Sequence, residues 1–193
     1  MRIRNSIFLF FLILLTAGIV IGQPDKKITF NATEYFDPFN IMGEGPIGEF
    51  LHFGSLQCPG EEPTGDPALP CPQGSRTHSR GVRWISRVES GTAGIPGGWM
   101  TVEGNDILDP EFNGPQWGTF SLDYDGSDAV FEGRWHGVRS KDGGVWITVL
   151  TITGRITGGP YDGATVIATD RITSVVPMPV FYIGEIEGTI INP

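Results

Sequence analysis

Apolar and polar residues alternate in short segments along this chain, and glycine or proline interrupts each segment before a helix could form. The segments are rich in valine, isoleucine, threonine and aromatic residues, which is typical of β-strands. Nine strands are predicted, over residues 27–35, 49–57, 81–90, 99–105, 115–124, 129–139, 144–156, 164–173 and 180–191. The pattern predicts an all-β fold, an antiparallel barrel of eight or nine strands, with a β-sandwich as the alternative.

Tight turns set the connections in the second half of the chain. The turn signals Asp125-Gly126 and Gly143-Gly144 predict a three-stranded antiparallel meander over residues 115–156. Glycine also recurs inside the predicted strands, where it marks bends or a close approach of two backbones. A strongly coiled sheet needs such positions, and this favours the barrel over the sandwich.

The first 22 residues have the pattern of a secretory signal peptide. Arg2 and Arg4 precede an apolar run over residues 7–21, and cleavage is predicted before Gln23. This run is shorter than the roughly 20 residues of a membrane-spanning helix, so a cleaved signal is favoured over an uncleaved anchor. The sequence predicts a secreted, extracellular or periplasmic protein, with one β-barrel domain over residues 23–193 and no stable membrane insertion after cleavage.

Charge and composition exclude some partners. The chain has 13 basic and 22 acidic residues, a net charge of −9, and no basic patch stands out. We therefore expect no nucleic acid partner and no docking on anionic lipid. The 39% hydrophobic content indicates a packed core and argues against global disorder.

Two cysteines agree with export. Cys58 and Cys71 bracket a segment rich in proline, glycine and acidic residues, and in an oxidising compartment we expect them to pair. The sequence thus predicts a disulfide-stapled loop over residues 58–71. His52 and His78 flank this loop but match no zinc spacing, so a disulfide is favoured over a metal site. We predict no metal and no cofactor.

The sharpest local group of polar residues is Glu132, Arg134 and His136, which share one face of a predicted strand. If this face points into the barrel, the three form a polar ladder with shifted pKa values that could orient or protonate a ligand. If it points outward, they are ordinary surface residues. The aromatic side chains of Phe131 and Trp135 on the opposite face favour the outward orientation.

Tryptophan is abundant, with five residues in the chain. Most are expected in the core or lining the barrel, and we include Trp84 and Trp117 with the candidate ligand-binding residues. An exposed subset could instead stack on sugar rings. Common hydrolase, metalloprotease, redox and nucleotide-binding motifs are absent from the sequence, and no catalytic residue is identified.

One segment resembles a known superfamily. In TVLTITGRITGGPYDGATVIATD a strand enters a turn at Gly158-Gly159, an aromatic-x-glycine follows at Tyr161 and Gly163, and another strand begins. With this segment, residues 115–170 resemble the allene oxide cyclase-like barrels, which include dirigent proteins and secreted bacterial proteins of unknown function. The resemblance implies an eight-stranded antiparallel barrel, often a homo-oligomer, with a cavity for an apolar molecule. It transfers no catalytic residue.

Three functions fit these expectations. The first is a secreted barrel that binds a small apolar molecule without hydrolytic chemistry. The second is a cyclase or isomerase that acts by confining its substrate in the same cavity, and the sequence leaves open whether the protein is an enzyme. The third is an extracellular structural, assembly or carbohydrate-binding protein. The first is favoured, and a polar group facing the lumen would separate it from the second.

Overall fold

The computed structural model of the protein describes residues 27–57, 76–175 and 181–191. The predicted signal peptide and both Cys58 and Cys71 lie outside the described residues, so export and the disulfide stay predictions. Within the described ranges, no helix is long and apolar enough to cross a membrane.

The described residues fold into ten antiparallel β-strands. They are β1 (Lys27–Phe36), β2 (Glu49–His52), β3 (Ser55–Gln57), β4 (Thr77–Ser90), β5 (Gly98–Leu108), β6 (Gly114–Tyr124), β7 (Val130–Asp142), β8 (Val145–Thr157), β9 (Thr165–Ser174) and β10 (Tyr182–Ile191). One 3-10 turn, Gly159–Tyr161, lies between β8 and β9. The prediction of an all-β fold is confirmed, and the predicted strand positions match closely.

Eight of these strands close into a barrel. From β4 to β10 each strand pairs with the next, and β10 then pairs with β1. The ring closes because β1 also pairs with β4, through four residue pairs that run from Ala32 and Ser90 to Tyr35 and Arg87. An eight-stranded antiparallel barrel is therefore present, as predicted, rather than a sandwich.

The predicted strand over residues 49–57 is divided in two. The interruption falls at Gly54, which has a φ of 68° and packs so closely on the backbone of β4 that a Cβ atom would clash there. On β4 itself, the register shifts between Ser79 and Val82. Strand β1 pairs with β4 from Arg87 to Ser90, and β2 and β3 pair with earlier residues of β4, so they are additional to the eight strands of the ring.

The two ends of the barrel differ. At the end that carries the turns β6–β7 and β8–β9, apolar side chains fill the lumen, as at Ala129, Ile156, Ala164, Val166 and Ile190. This packed end closes the barrel. The opposite end carries the turns β5–β6 and β7–β8 and the loop 37–48 that follows β1.

Glycines on the inner face make room for large aromatic side chains. A Cβ atom on Gly104 would lie 2.9 Å from two ring carbons of Trp84 and 3.2 Å from a ring carbon of Trp135. Gly118, on the neighbouring strand, is covered by the ring of Trp135 in the same way. The strand glycines therefore let the indole rings lie flat against the backbone inside a narrow barrel.

We predict that Gly104→Ala destabilises the protein by about 1–2 kcal/mol, because the added methyl group overpacks the lumen against Trp84. Urea unfolding followed by tryptophan fluorescence measures this change. Ser140→Ala, on the exposed face of β7, is the control and should change the free energy of unfolding by less than about 0.5 kcal/mol. Equal stability of the two variants would show that the Trp84 ring has room to move.

Candidate functional site

A cavity of about 510 Å³ occupies the half of the barrel lumen that the apolar packing leaves free. This volume lies within the range of small-molecule binding sites. Apolar side chains form most of its wall. The aromatic ones are Phe39, Phe50, Phe53, Trp84, Phe120, Trp135 and Tyr182.

Hydrogen bonds connect three side chains of the cavity wall across three strands. Trp84 on β4 donates its indole N–H to the hydroxyl of Tyr182 on β10, at 2.8 Å. Tyr182 in turn donates its O–H to the Glu34 carboxylate on β1, at 2.5 Å. Glu34 and Tyr182 are fully buried. The network therefore holds a carboxyl group in a fixed position in an apolar wall.

Asp170 on β9 faces Glu34, and we call these two residues the acid pair. Burial raises the pKa of Glu34, and hydrogen bonds from Ser86, Tyr182 and Asp170 lower it in part. Burial and then the nearby charge of Glu34 raise the pKa of Asp170 well above its usual range. Because two buried carboxylates this close cannot both ionise cheaply, the acid pair keeps a proton at neutral pH.

Of the two carboxyl groups, Asp170 has the more strongly raised pKa, so burial and the charge of Glu34 favour its protonated form. Glu34 already accepts the Tyr182 hydroxyl, and burial together with Glu34 raises the pKa of that hydroxyl well above its usual range, so Tyr182 stays a donor. Asp170, in contrast, is 1% exposed, and neither of its carboxyl oxygens has a partner of regular hydrogen-bond geometry among the described residues. The acid pair therefore presents an unsatisfied buried group to the cavity.

A second polar group lies on the wall formed by β5 to β8. Arg139 is 3% exposed, and burial lowers its pKa to about 10, against the opposing effect of the Asp106 carboxylate. Burial also raises the pKa of Asp106, which accepts a hydrogen bond from the Ser79 backbone N–H at 3.3 Å. The charges of Arg139 and Asp106 therefore compensate each other within the cavity wall.

The polar residues singled out from the sequence lie elsewhere. Glu132, Arg134 and His136 are exposed on the outer face of β7, while Phe131 and Trp135 point into the barrel. None of the three polar side chains lines the cavity. Their assignment to a ligand site in the lumen is thus corrected, because the two aromatic rings occupy the inward positions of the strand.

The two candidate tryptophans separate in the same way. Trp84 lines the cavity, whereas Trp117 is 40% exposed on the outside of β6. Trp99 is also exposed and lies on the neighbouring strand β5. The residue opposite Trp117 on β5 is Asn105, six residues after Trp99. The six-residue offset corresponds to about 20 Å along a strand, so the two exposed indoles do not form one surface for stacking on sugars.

The alternation of inward and outward positions along the strands could have identified Arg139, Glu34 and Asp170, which the sequence analysis missed. Extending the inward face of β7 by one step beyond Gly137 reaches Arg139. Glu34 and Asp170 likewise occupy inward positions on strands whose other inward residues are mostly apolar. A lone charged residue on the apolar face of a strand was therefore the sign of this site.

Comparison with known proteins gives no relative. No family model matches the chain, and no curated protein or solved structure matches it either. The resemblance to allene oxide cyclase-like barrels stays a prediction. In the part of the chain that the structure describes, no group of three or more His, Cys, Asp or Glu side chains is placed to hold a metal ion.

The acid pair predicts an unusual dependence of stability on pH. From about pH 4 upward the carboxyl groups of the unfolded chain are ionised, whereas the folded protein still holds a proton on Asp170. Folding therefore binds a proton in this range, and the contribution of the acid pair to stability falls as the pH rises toward the raised pKa of Asp170.

Asp170→Asn should remove this loss, because its amide can donate to Glu34 at any pH. We expect the variant to be more stable than the wild type by about 1–3 kcal/mol at pH 8 and to lose less stability between pH 5 and pH 8. Urea unfolding at both pH values measures the difference, with the exposed Glu132→Gln as control. An Asp170→Asn variant with the same pH profile as the wild type would contradict the shared proton.

Proposed function

We propose that this protein binds a small, largely apolar molecule inside its barrel. The observation that carries the proposal is the cavity of about 510 Å³, whose wall is mainly aromatic and aliphatic and whose inner end is closed by packed side chains. An eight-stranded barrel encloses room for one small ligand when its side chains leave part of the lumen free. With the predicted signal peptide, this gives a secreted binding protein.

The mouth of the cavity supports entry of an apolar molecule. Phe39 and Phe53 are exposed there, and both pack against Phe50, with ring centres 6.3 and 5.0 Å apart. The loop that carries Phe39 is held in place by Asp37, whose buried carboxylate accepts two backbone N–H groups. Aromatic rings on an ordered loop provide a fixed apolar entrance.

The cavity wall lacks the side chains of two common hydrolytic sites. Among the described residues that line the cavity there is no histidine and no cysteine, so no Ser–His or Cys–His pair is formed there. The polar groups of the wall are few, and the Glu34 carboxylate is fixed by the hydrogen bond that it accepts from Tyr182, which is typical of a group that orients a ligand.

A substitution that fills the cavity with a larger side chain tests the binding function. We predict that prodan, an uncharged fluorophore whose emission shifts to the blue in apolar surroundings, binds the wild type and that Val82→Trp weakens binding at least tenfold. Val82 lines the cavity, and an indole there would occupy the space of the ligand. Fluorescence titration gives both Kd values, and a tenfold change equals about 1.4 kcal/mol.

The matched control is Val138→Trp, which adds the same bulk on the outer face, where Val138 is 59% exposed. This variant should bind prodan like the wild type, and thermal melts should show that both variants are folded. Absence of a blue shift with the wild type, or equal weakening by the two substitutions, would refute binding in the lumen.

One observation favours the cyclase or isomerase as a second candidate. The acid pair lines the cavity and holds a proton in an apolar wall, as a general acid does. Such a group could protonate a confined substrate and take the proton back without any cofactor.

Proton transfer can be followed on the same probe, because prodan carries C–H bonds next to its carbonyl group. If the barrel is an isomerase, prodan incubated with it in D₂O should exchange these hydrogens for deuterium faster than in buffer, and Asp170→Asn should abolish the excess. Mass spectrometry measures the exchange. Exchange at the buffer rate, with prodan bound, would leave binding as the function of the cavity.

A further inference from the structure

The charges of the cavity wall do not balance. Of the residues that the structure describes, three with acidic side chains line it, Glu34, Asp106 and Asp170, and one with a basic side chain, Arg139. Asp106 acts on Arg139, and no basic side chain among the described residues is paired with the acid pair. The ion pairs among the described residues, Arg83–Glu103 and Arg87–Asp125, do not involve it.

Asp170 brings two carboxyl oxygens into the wall, and with a proton on one of them the other is still an acceptor without a donor among the described residues. Its carboxyl oxygens make no regular hydrogen bond with a described residue, although the side chain is almost completely buried. Gly184 on β10 lies two residues from the position opposite Asp170, and a Cβ atom there would lie 2.6 and 3.0 Å from the two carboxyl oxygens. Because Gly184 has no side chain, the carboxyl group of Asp170 fits there. A buried oxygen without a hydrogen-bond donor costs free energy, which a ligand that donates a hydrogen bond would recover.

Aromatic rings line the same cavity as the acid pair. Trp84 and Tyr182 are hydrogen-bonded to each other beside the acid pair, and the rings of Phe120 and Trp135 lie in the same cavity wall. Indole, phenol and phenyl faces attract a desolvated ammonium group, most strongly in a site that excludes water. Carboxyl groups and aromatic faces together are complementary to a cation that carries apolar substituents.

We infer that the ligand of this cavity is an apolar amine, whose ammonium group donates hydrogen bonds to the acid pair while its hydrocarbon or aromatic body fills the apolar part of the lumen. This inference rests on the proposed binding function and names the class of ligand. When the ammonium group arrives, Asp170 releases its proton to the solvent and becomes the carboxylate that pairs with it. The amine remains protonated, so one positive charge enters and one proton leaves.

Other titratable groups near the acid pair do not supply this charge. Those that face it or share its cavity are Glu34 on β1, Asp106 on β5, Arg139 on β7 and Tyr182 on β10, and Glu185 acts on Asp170 from the outer face of β10. Its neighbours in register, Leu150 on β8 and Ile186 on β10, are apolar. The negative charge of Glu185 also raises the pKa of Asp170. Once Asp170 is ionised at high pH, the negative charges around it favour a cationic ligand.

The test uses three probes with the same eight-carbon chain: octylamine, octanol and octanoate. Each probe is titrated into the wild-type barrel with prodan bound, and the loss of prodan fluorescence measures displacement. At pH 8 we expect octylamine to displace prodan at a concentration at least tenfold lower than either other probe. At pH 5 the acid pair holds its protons more firmly, and the advantage of octylamine should shrink severalfold, although octylamine is protonated at both pH values.

Variants locate the effect. Asp170→Asn and Glu34→Gln should each bring octylamine within about threefold of octanol, whereas Glu132→Gln, an exposed carboxyl group on the outside, should keep the full advantage. If the two lumen variants do not fold, the pH dependence of the wild type decides alone. Prodan displaced equally well by octanol and octylamine at pH 8, or an octylamine advantage that is the same at pH 5, would overturn the amine inference and leave the binding function standing. Failure of prodan to bind at all would overturn both.

Discussion

The pairing of β1 with β4 is the interaction on which this structure depends. From β4 to β10 each strand of the ring pairs with its neighbour in the chain. Strand β1 pairs with β10, and its pairing with β4, across the whole of β2, β3 and their loops, closes the ring. Only four residue pairs make this closure, and Glu34 is in one of them, opposite Val88. Without it the sheet would be open, and neither the cavity nor the acid pair would be shielded from water.

Closure also explains how one lumen serves two purposes. At one end apolar side chains such as those of Ile156 and Val166 pack completely. In the cavity wall, strand glycines such as Gly104 make room for rings as large as that of Trp84. At the other end the same inward positions carry Asp170 and Arg139, which are too polar to pack together without partners. The packed half therefore stabilises the barrel. The hollow half contains the polar side chains of Asp170 and Arg139, which a completely packed apolar core would exclude.

Much of the fold could be predicted from the sequence, because strand alternation and the turns at Asp125-Gly126 and Gly143-Gly144 are local signals. The division at Gly54 was missed, since it depends on contact with β4. For the site, Trp84 was predicted. The outward orientation favoured for Glu132, Arg134 and His136 is confirmed, whereas their use as candidate ligand-binding residues of the lumen was wrong. Glu34 and Asp170 were missed because β10 lies between their strands in the sheet, and only the closed barrel shows that they meet.

The central claim is that a proton is held on the acid pair inside the barrel. Infrared spectroscopy at pH 7 tests it most directly, by comparing the wild type with Asp170→Asn in D₂O after aspartate is labelled with ¹³C. The account predicts a C=O stretch of a protonated aspartic acid in the wild type, which shifts with the label and is absent from the variant. A wild-type spectrum with only ionised carboxylate bands would contradict it, because the cavity would then hold two unprotonated carboxylates without a cation.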